Sequence, residues 1–236
     1  MPYKVTLMSA VDDLTDEGRI IGAINTVFIR KTSDGRRRYI GTNTDCVGVR
    51  EAFLQNYPGI LSQSVGKPGL VNGGGGACRA AIYALWKWMG VSKIYIVNRL
   101  ESEVKSIIDS FRATGFDGEL VWVSSVEQAA ALDAPVLCVG TVPDFPPVED
   151  GEILARKIVE TFLEKKEKGY VLEMCYHPKP RTEFFELCTR AGWEVIFGTE
   201  SMVWQGVAQQ VLWAELPFDR FKLDAAVKTI GEAVRK

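Results

Sequence analysis

The chain has 236 residues, 47% of them hydrophobic, with 28 lysines and arginines against 30 aspartates and glutamates and a single histidine. The resulting net charge of -2 supplies no basic footprint and reads against direct nucleic-acid binding. No apolar run approaches the roughly 20 residues of a membrane helix and no secretory apolar segment opens the sequence, so a globular protein with a large buried core is expected.

In chain order, the first predicted elements are two strand-like runs, AINTVFIRK and RRRYIGTNT, flanking Ser33, Asp34 and Gly35. An Asp-Gly step between two such runs predicts a β-hairpin, and a helix is expected after it from about Asp45 to Gln55. Six β-like runs then follow at 69–73, 93–98, 119–123, 135–140, 170–174 and 193–197. Helical patterns at 76–89, 101–113, 152–166 and 182–191 lie between most of them, with Gly90, Gly169 and Gly192 where helix C-terminal caps are expected. Strands that alternate with helices in this way build a parallel sheet covered on both faces. The proline-rich stretch VPDFPPVEDG at 142–151 reads as a loop. Beyond the last strand, Met202, Val203, Gly206, Val207 and Val211 share one face of a helix at 200–215, and an amphipathic helix is expected from Phe218 to the end.

The sharpest local signal is LVNGGGGACRAAIYAL, Leu70 to Leu85, a glycine run between a strand and a helix. Gly73 and Gly75 occupy the first two glycine places of a dinucleotide-binding turn, Gly76 and Ala77 open the helix, and Cys78 takes the third place, where helix and sheet pack. Backbone N–H groups at that helix start suit an anion such as a pyrophosphate. The next strand ends in NRLESEV, where such folds select their cofactor. Asn98 and Arg99 suit the 2′-phosphate of NADP, whereas Glu101 and Glu103 set two negative charges where that phosphate would sit.

Five cysteines form an odd set with no C-x-x-C pair, and the lone His177 has no partner cluster, so neither a disulfide framework nor a metal site is expected. Reduced thiols fit a cytoplasmic or nuclear protein.

Taken together, the segments MPYK at 1–4, DDLTDEGRIIGAINTV at 12–27, GTNTDCVGV at 41–49, GGGGACRA at 73–80, NR at 98–99, LEMCYHP at 172–178 and GTESMVWQGV at 198–207 resemble the shikimate dehydrogenase family in order and spacing. The later segments are similar to its fungal branch, which includes the dehydrogenase part of the pentafunctional arom protein and the C-terminal part of the quinate-pathway repressor. The resemblance implies an α/β fold: a Rossmann-like doubly wound parallel sheet at 67–198, a truncated second (substrate) lobe at 1–66, and C-terminal helices at 199–236 returning to that lobe. It also implies that Lys4 and Asp45 form a catalytic pair exchanging the proton of a substrate hydroxyl as hydride moves to NADP. Asn25, Tyr176 and Gln205 match substrate-holding positions. Gly73, Gly75, Gly76, Ala77, Asn98, Arg99 and Thr141 match the cofactor site.

Several positions depart from the family's pattern. Leu100 replaces a threonine after Asn-Arg, Glu103 replaces a basic residue that helps clamp the 2′-phosphate, and Val139 replaces the asparagine of an Asn-x-Thr stretch. The family's opening strand-helix-strand segment, which grips the substrate carboxylate, is expected to be missing. With half of its lobe gone, the hairpin is expected to have an unpaired edge that a second copy of the chain covers in a homodimer. NADP binding is therefore expected to be weak or lost. The favoured expectation is a regulatory pseudoenzyme, the shikimate-dehydrogenase-like domain of a quinate-pathway repressor, that binds the pathway's activator protein or senses shikimate, quinate or dehydroshikimate. The alternatives left open are an authentic NADP-dependent shikimate or quinate dehydrogenase, and a scaffold that binds only protein.

Overall fold

The computed structural model describes residues 3–218 together with Ala225 and Thr229. Met1 and Pro2 of the MPYK segment, and nearly all of the helix expected from Phe218 onward, lie outside the described residues.

Nine strands and nine α-helices follow one another among the described residues. A 3₁₀ turn at Thr6–Ala10 leads into β1 (Asp13–Leu14), α1 (Asp16–Ile21), β2 (Thr26–Lys31), β3 (Arg37–Thr42), α2 (Asp45–Asn56) and α3 (Ile60–Ser64). The alternating part comprises β4 (Pro68–Asn72), α4 (Gly76–Lys87), β5 (Lys93–Val97), α5 (Glu101–Ala113), β6 (Glu119–Trp122), α6 (Val126–Ala131), β7 (Leu137–Gly140), α7 (Asp150–Leu163), β8 (Tyr170–Glu173), α8 (Glu183–Arg190) and β9 (Glu194–Phe197). The chain then enters α9 (Gly198–Ala214).

The six strands from β4 to β9 form one sheet in the order β6-β5-β4-β7-β8-β9, with every neighbouring pair parallel. This is the doubly wound architecture expected from the alternation. Side chains along each strand point to opposite faces, and two cores result. Val71, Ile94, Ile96, Val139 and Leu172 pack under α1, α2, α4 and α5, while Leu70, Tyr95, Val97, Cys138 and Val171 pack under α6, α7 and α8. Each such side chain stabilises the fold by roughly 1.5–3 kcal/mol on full burial. After β4 the chain winds outward through β5 and β6 and then returns to β7 on the other side of β4. The carboxyl ends of β4 and β7 therefore splay apart at a switch point, where open α/β sheets place their ligands.

The hairpin of β2 and β3 forms as expected, with Gly35 at φ 79 in its turn. It is not isolated, yet β2 remains the outer strand of its sheet, paired only with β3, as the expectation of an unpaired edge had it. The short β1, missed in the sequence, pairs in parallel with β3, and on the other side Trp213 Nε1 donates to Val27 O at 3.0 Å while Arg30 donates to Leu212 O at 3.0 Å. α9 lies across α2 and β2. At the α2–α9 crossing Gly48 is essential, since a Cβ there would overlap the carbonyl oxygen of Ser201.

Two of the three expected glycine caps have left-handed backbones, Gly90 at φ 66 and Gly192 at φ 83. Gly169 is a correction. α7 stops at Leu163 with Glu164 as its cap, and Gly169 is small because the carbonyl of Val136 approaches it from the neighbouring strand. No helix of the described residues is long and apolar enough to cross a membrane.

Candidate functional site

Lys4, Asn25, Asp45 and Gln205, four residues spread over 200 positions, meet in one hydrogen-bonded group beside the switch point. α2 begins with Asp45, whose N–H donates to Asn43 Oδ1 at 3.0 Å, and Thr44 is its N-cap residue. The Asp45 carboxylate is held from two sides. Its Oδ2 accepts from Lys4 Nζ in a direct ion pair and its Oδ1 accepts from Asn25 Nδ2 at 2.7 Å. Asn25 also reaches Thr44 Oγ1 at 3.1 Å and Gln205 Oε1 at 3.4 Å, and its Oδ1 accepts the Thr44 N–H at 2.9 Å. Lys4 itself is fixed through its carbonyl, which accepts the N–H of Ile24 at 2.8 Å. The Lys4 and Asp45 side chains retain 17% and 13% of their exposure, enough for a ligand to touch them. Tyr176 stands exposed on the loop after β8, and no hydrogen bond joins it to this group among the described residues. His177 beside it is exposed as well.

The glycine turn adjoins this group. Gly73, at φ 131, donates its N–H to Val97 O at 2.8 Å and faces Thr141, whose hydroxyl a Cβ at Gly73 would overlap. Thr141 is held by its own hydroxyl, which donates to Asn72 O at 2.8 Å. Gly74 has no room for a side chain because the Glu103 and Asn98 side chains lie 2.5 and 2.6 Å from where its Cβ would be. Gly75, the N-cap of α4, faces open space, and no side chain caps the helix there. Gly76 abuts the Lys4 side chain.

Lys4, the glycine turn, Asn98 and Thr141 border a cavity of about 520 Å³. Its size lies within the range of small-molecule sites, roughly 300–1,000 Å³. An uncapped helix start beneath an open glycine, at the switch point of a parallel sheet, is what a dinucleotide pyrophosphate requires. The residues present therefore fit that cofactor: Gly73, Gly75, Gly76, Ala77 and Thr141 all border the cavity at the helix start.

At the other end of the cavity the two glutamates separate. Glu101 turns away and pairs with Lys105 at 2.6 Å. Glu103 turns inward, where its Oε2 accepts from Asn98 Nδ2 at 2.7 Å. Arg99 leans across to the start of α7, pairing with Glu152 at 2.5 Å and Glu149 at 3.5 Å. Glu152 also accepts the N–H groups of Val148 and Glu149, and these bonds, ahead of the Arg99 guanidinium, hold its carboxyl below the usual carboxylate range. The one basic side chain expected to clamp a 2′-phosphate is thus already engaged by carboxylates.

Sequence reasoning missed Thr44, which knits Asn25 to Gln205, and Glu173 beneath the cavity. An acid at the end of an otherwise apolar strand run, YVLEM, was the available signal for Glu173. Its residue is 1% exposed, and burial pushes its carboxyl up to about 8.

No family model matches the chain. Individual proteins do. The chain is 48% identical over 219 residues to a quinate dehydrogenase of Emericella nidulans, an alignment covering 90% of this chain and 67% of that protein. It is 36% identical over 219 residues to the pentafunctional AROM polypeptide of Komagataella phaffii, covering 92% of this chain and 13% of that one. Among solved structures, the dehydroquinate dehydratase and shikimate dehydrogenase part of S. pombe AroM superposes with a TM-score of 0.79 at 28% identity, over 98% of this chain and 42% of that chain. The identity to a quinate dehydrogenase across two thirds of its length, together with the shared fold, means that the chain belongs to the shikimate/quinate dehydrogenase family.

Proposed function

We propose that this chain carries the proton-handling and dinucleotide-binding parts of a dehydrogenase that oxidises a ring hydroxyl of quinate or shikimate, with NAD in preference to NADP. One observation carries the proposal: the Lys4–Asp45 pair, braced by Asn25, sits directly against the glycine turn.

The dinucleotide, when bound, supplies the hydride acceptor. The chain's own residues do the rest. Oxidation of a secondary alcohol releases the carbon-bound hydrogen as hydride and the hydroxyl hydrogen as a proton, and the Lys4 Nζ–Asp45 Oδ2 pair is the group placed to receive that proton and pass it to water. Asn25 fixes Asp45 through the other oxygen, and Asn25, Gln205 and Tyr176 present amides and a phenol to the hydroxyl and carboxylate groups of the substrate. At the adenosine end, Glu103 offers acceptors for a ribose diol and repels a phosphate, Leu100 offers no hydroxyl, and Arg99 is held by Glu149 and Glu152. The weak NADP binding expected from the sequence is thus part of this reading.

The test is the appearance of reduced cofactor at 340 nm with NAD or NADP and quinate or shikimate, for the chain and for Lys4→Ala and Asp45→Asn. Turnover with NAD that both substitutions abolish supports the proposal. Calorimetric binding of quinate or shikimate without any turnover would favour the regulatory reading, in which the same cavity senses a metabolite or the domain engages an activator protein.

A further inference from the structure

Glu173 ends β8 at the carboxyl edge of the sheet and borders the dinucleotide cavity from below. Its surroundings are unusual for an acid. Oε1 accepts from the Thr182 hydroxyl at 3.3 Å, and that same hydroxyl oxygen caps α8 by accepting the N–H of Phe185 at 3.0 Å. Oε2 has no hydrogen-bond partner and lies against the backbone of Gly140, so close that a Cβ at Gly140 would overlap it. The ring of Phe184 closes the same space.

Two loops meet above this carboxyl. One, 141–149, begins with Thr141; the other, 174–182, carries Tyr176. They are joined to each other where Cys175 Sγ donates to Val142 O at 3.0 Å and, just beyond the second loop, where the Glu183 N–H donates to Asp144 Oδ1 at 2.8 Å. The bond from Thr182 to Glu173 ties that junction to the sheet.

We infer that Glu173 is a positioning residue of the dinucleotide cavity, a buried fastener that holds the cavity-lining loop 141–149 against loop 174–182 and so fixes the place of Thr141. The carboxyl fits this place when it is neutral. Burial is the main reason that it stays protonated up to about 8; the Thr182 hydroxyl and the Cys175 N–H oppose this, and Asp144 reinforces it. Arg156, on α7, acts in the opposite sense from Asp144 but is itself paired with Glu183 at 3.1 Å. The remaining titratable neighbours are the thiols of Cys175 and Cys188, both pushed up by burial. Ionised Glu173 adds a second carboxylate beside Asp144 with one oxygen unsatisfied, and the junction loosens.

The inference rests on the dinucleotide reading for its functional consequence, and two measurements keep the two separable. The first needs no ligand. Hydrogen exchange in loops 141–149 and 174–182, corrected for intrinsic rates, is faster near pH 9 than near pH 6.5 in the unaltered chain and equal at both in Glu173→Gln. The second is calorimetric NAD binding at the same two pH values. With a carboxyl that titrates at about 8, the competent fraction near pH 9 is about one tenth, and affinity falls about tenfold there, whereas Glu173→Gln stays flat. Equal loop protection at both pH values in the unaltered chain overturns the inference whether or not the variant folds, as does a Glu173→Gln chain with the same pH response. Absence of NAD binding at every pH counts against the dehydrogenase reading alone, and the exchange measurement still decides the role of Glu173.

Discussion

The aliphatic chain of Lys4 packs against Gly76, with Lys4 Cδ 3.1 Å from where a Cβ on Gly76 would lie. The Lys4–Asp45 pair and the glycine turn are therefore in direct contact. Gly76→Ala favours the helix by up to about 1 kcal/mol but displaces Lys4 by a few tenths of an ångström. The expected outcome is a several-fold fall in turnover with unchanged NAD affinity and unchanged or raised melting temperature, read by steady-state kinetics and calorimetry.

Removing the pair itself has a larger effect. Lys4→Ala and Asp45→Asn are each expected to lower turnover roughly 100- to 10,000-fold, the usual range for a positioned acid-base group. The double variant is expected to lose little more than either single one, because the two residues act as a unit. A double-mutant cycle on kcat checks this, and additive losses would contradict it.

Cofactor choice is expected to follow Leu100 and Glu103. Leu100→Thr with Glu103→Arg removes a repelling carboxylate and adds charge-assisted donors at about 1.5–3 kcal/mol each, so NADP affinity rises about 10- to 100-fold or more and the NAD preference is lost. Glu152→Gln, which weakens the hold on Arg99, is expected to move selectivity the same way by a smaller factor. Competitive titration with both dinucleotides measures the ratio directly.

Glu173 also makes a prediction about stability. Its carboxyl titrates at about 8 in the fold against an ordinary 4.5, so the folded state binds the extra proton between these values. Its stabilising contribution is complete below about pH 4.5 and declines as pH rises toward 8, by up to about 1.4 kcal/mol per pH unit. Urea unfolding across this window is expected to show the decline in the unaltered chain and its absence in Glu173→Gln.

The sheet was legible because each of its strands is an apolar run set between turn residues, and the glycine turn because its spacing matches a known backbone need. Elements that lack such marks were not. α6 is a single short stretch, VEQAAA, whose main signal is the Ser125 cap that accepts the N–H of Gln128 at 3.1 Å. Lys4, Asn25, Asp45 and Gln205 were found through resemblance, yet the hydrogen bonds that unite them join positions up to 180 residues apart and leave no local pattern. Glu101 and Glu103 look alike in the sequence; only the fold turns one toward Lys105 and the other toward the glycines. Glu173 reads as a solvent-edge acid until Phe184 and Thr182 cover it from the following helix.

The dispersal of the site along the chain has a consequence during synthesis. Asn25 emerges 180 residues before Gln205, and at ribosomal rates of roughly 5–20 residues per second it waits about 10–40 s for that partner. Over that interval the strands of the parallel sheet are synthesised, while β2 still lacks its bond from Trp213. Arrival of α9 is thus the event that brings Gln205 to Asn25 and completes the hydrogen-bonded group.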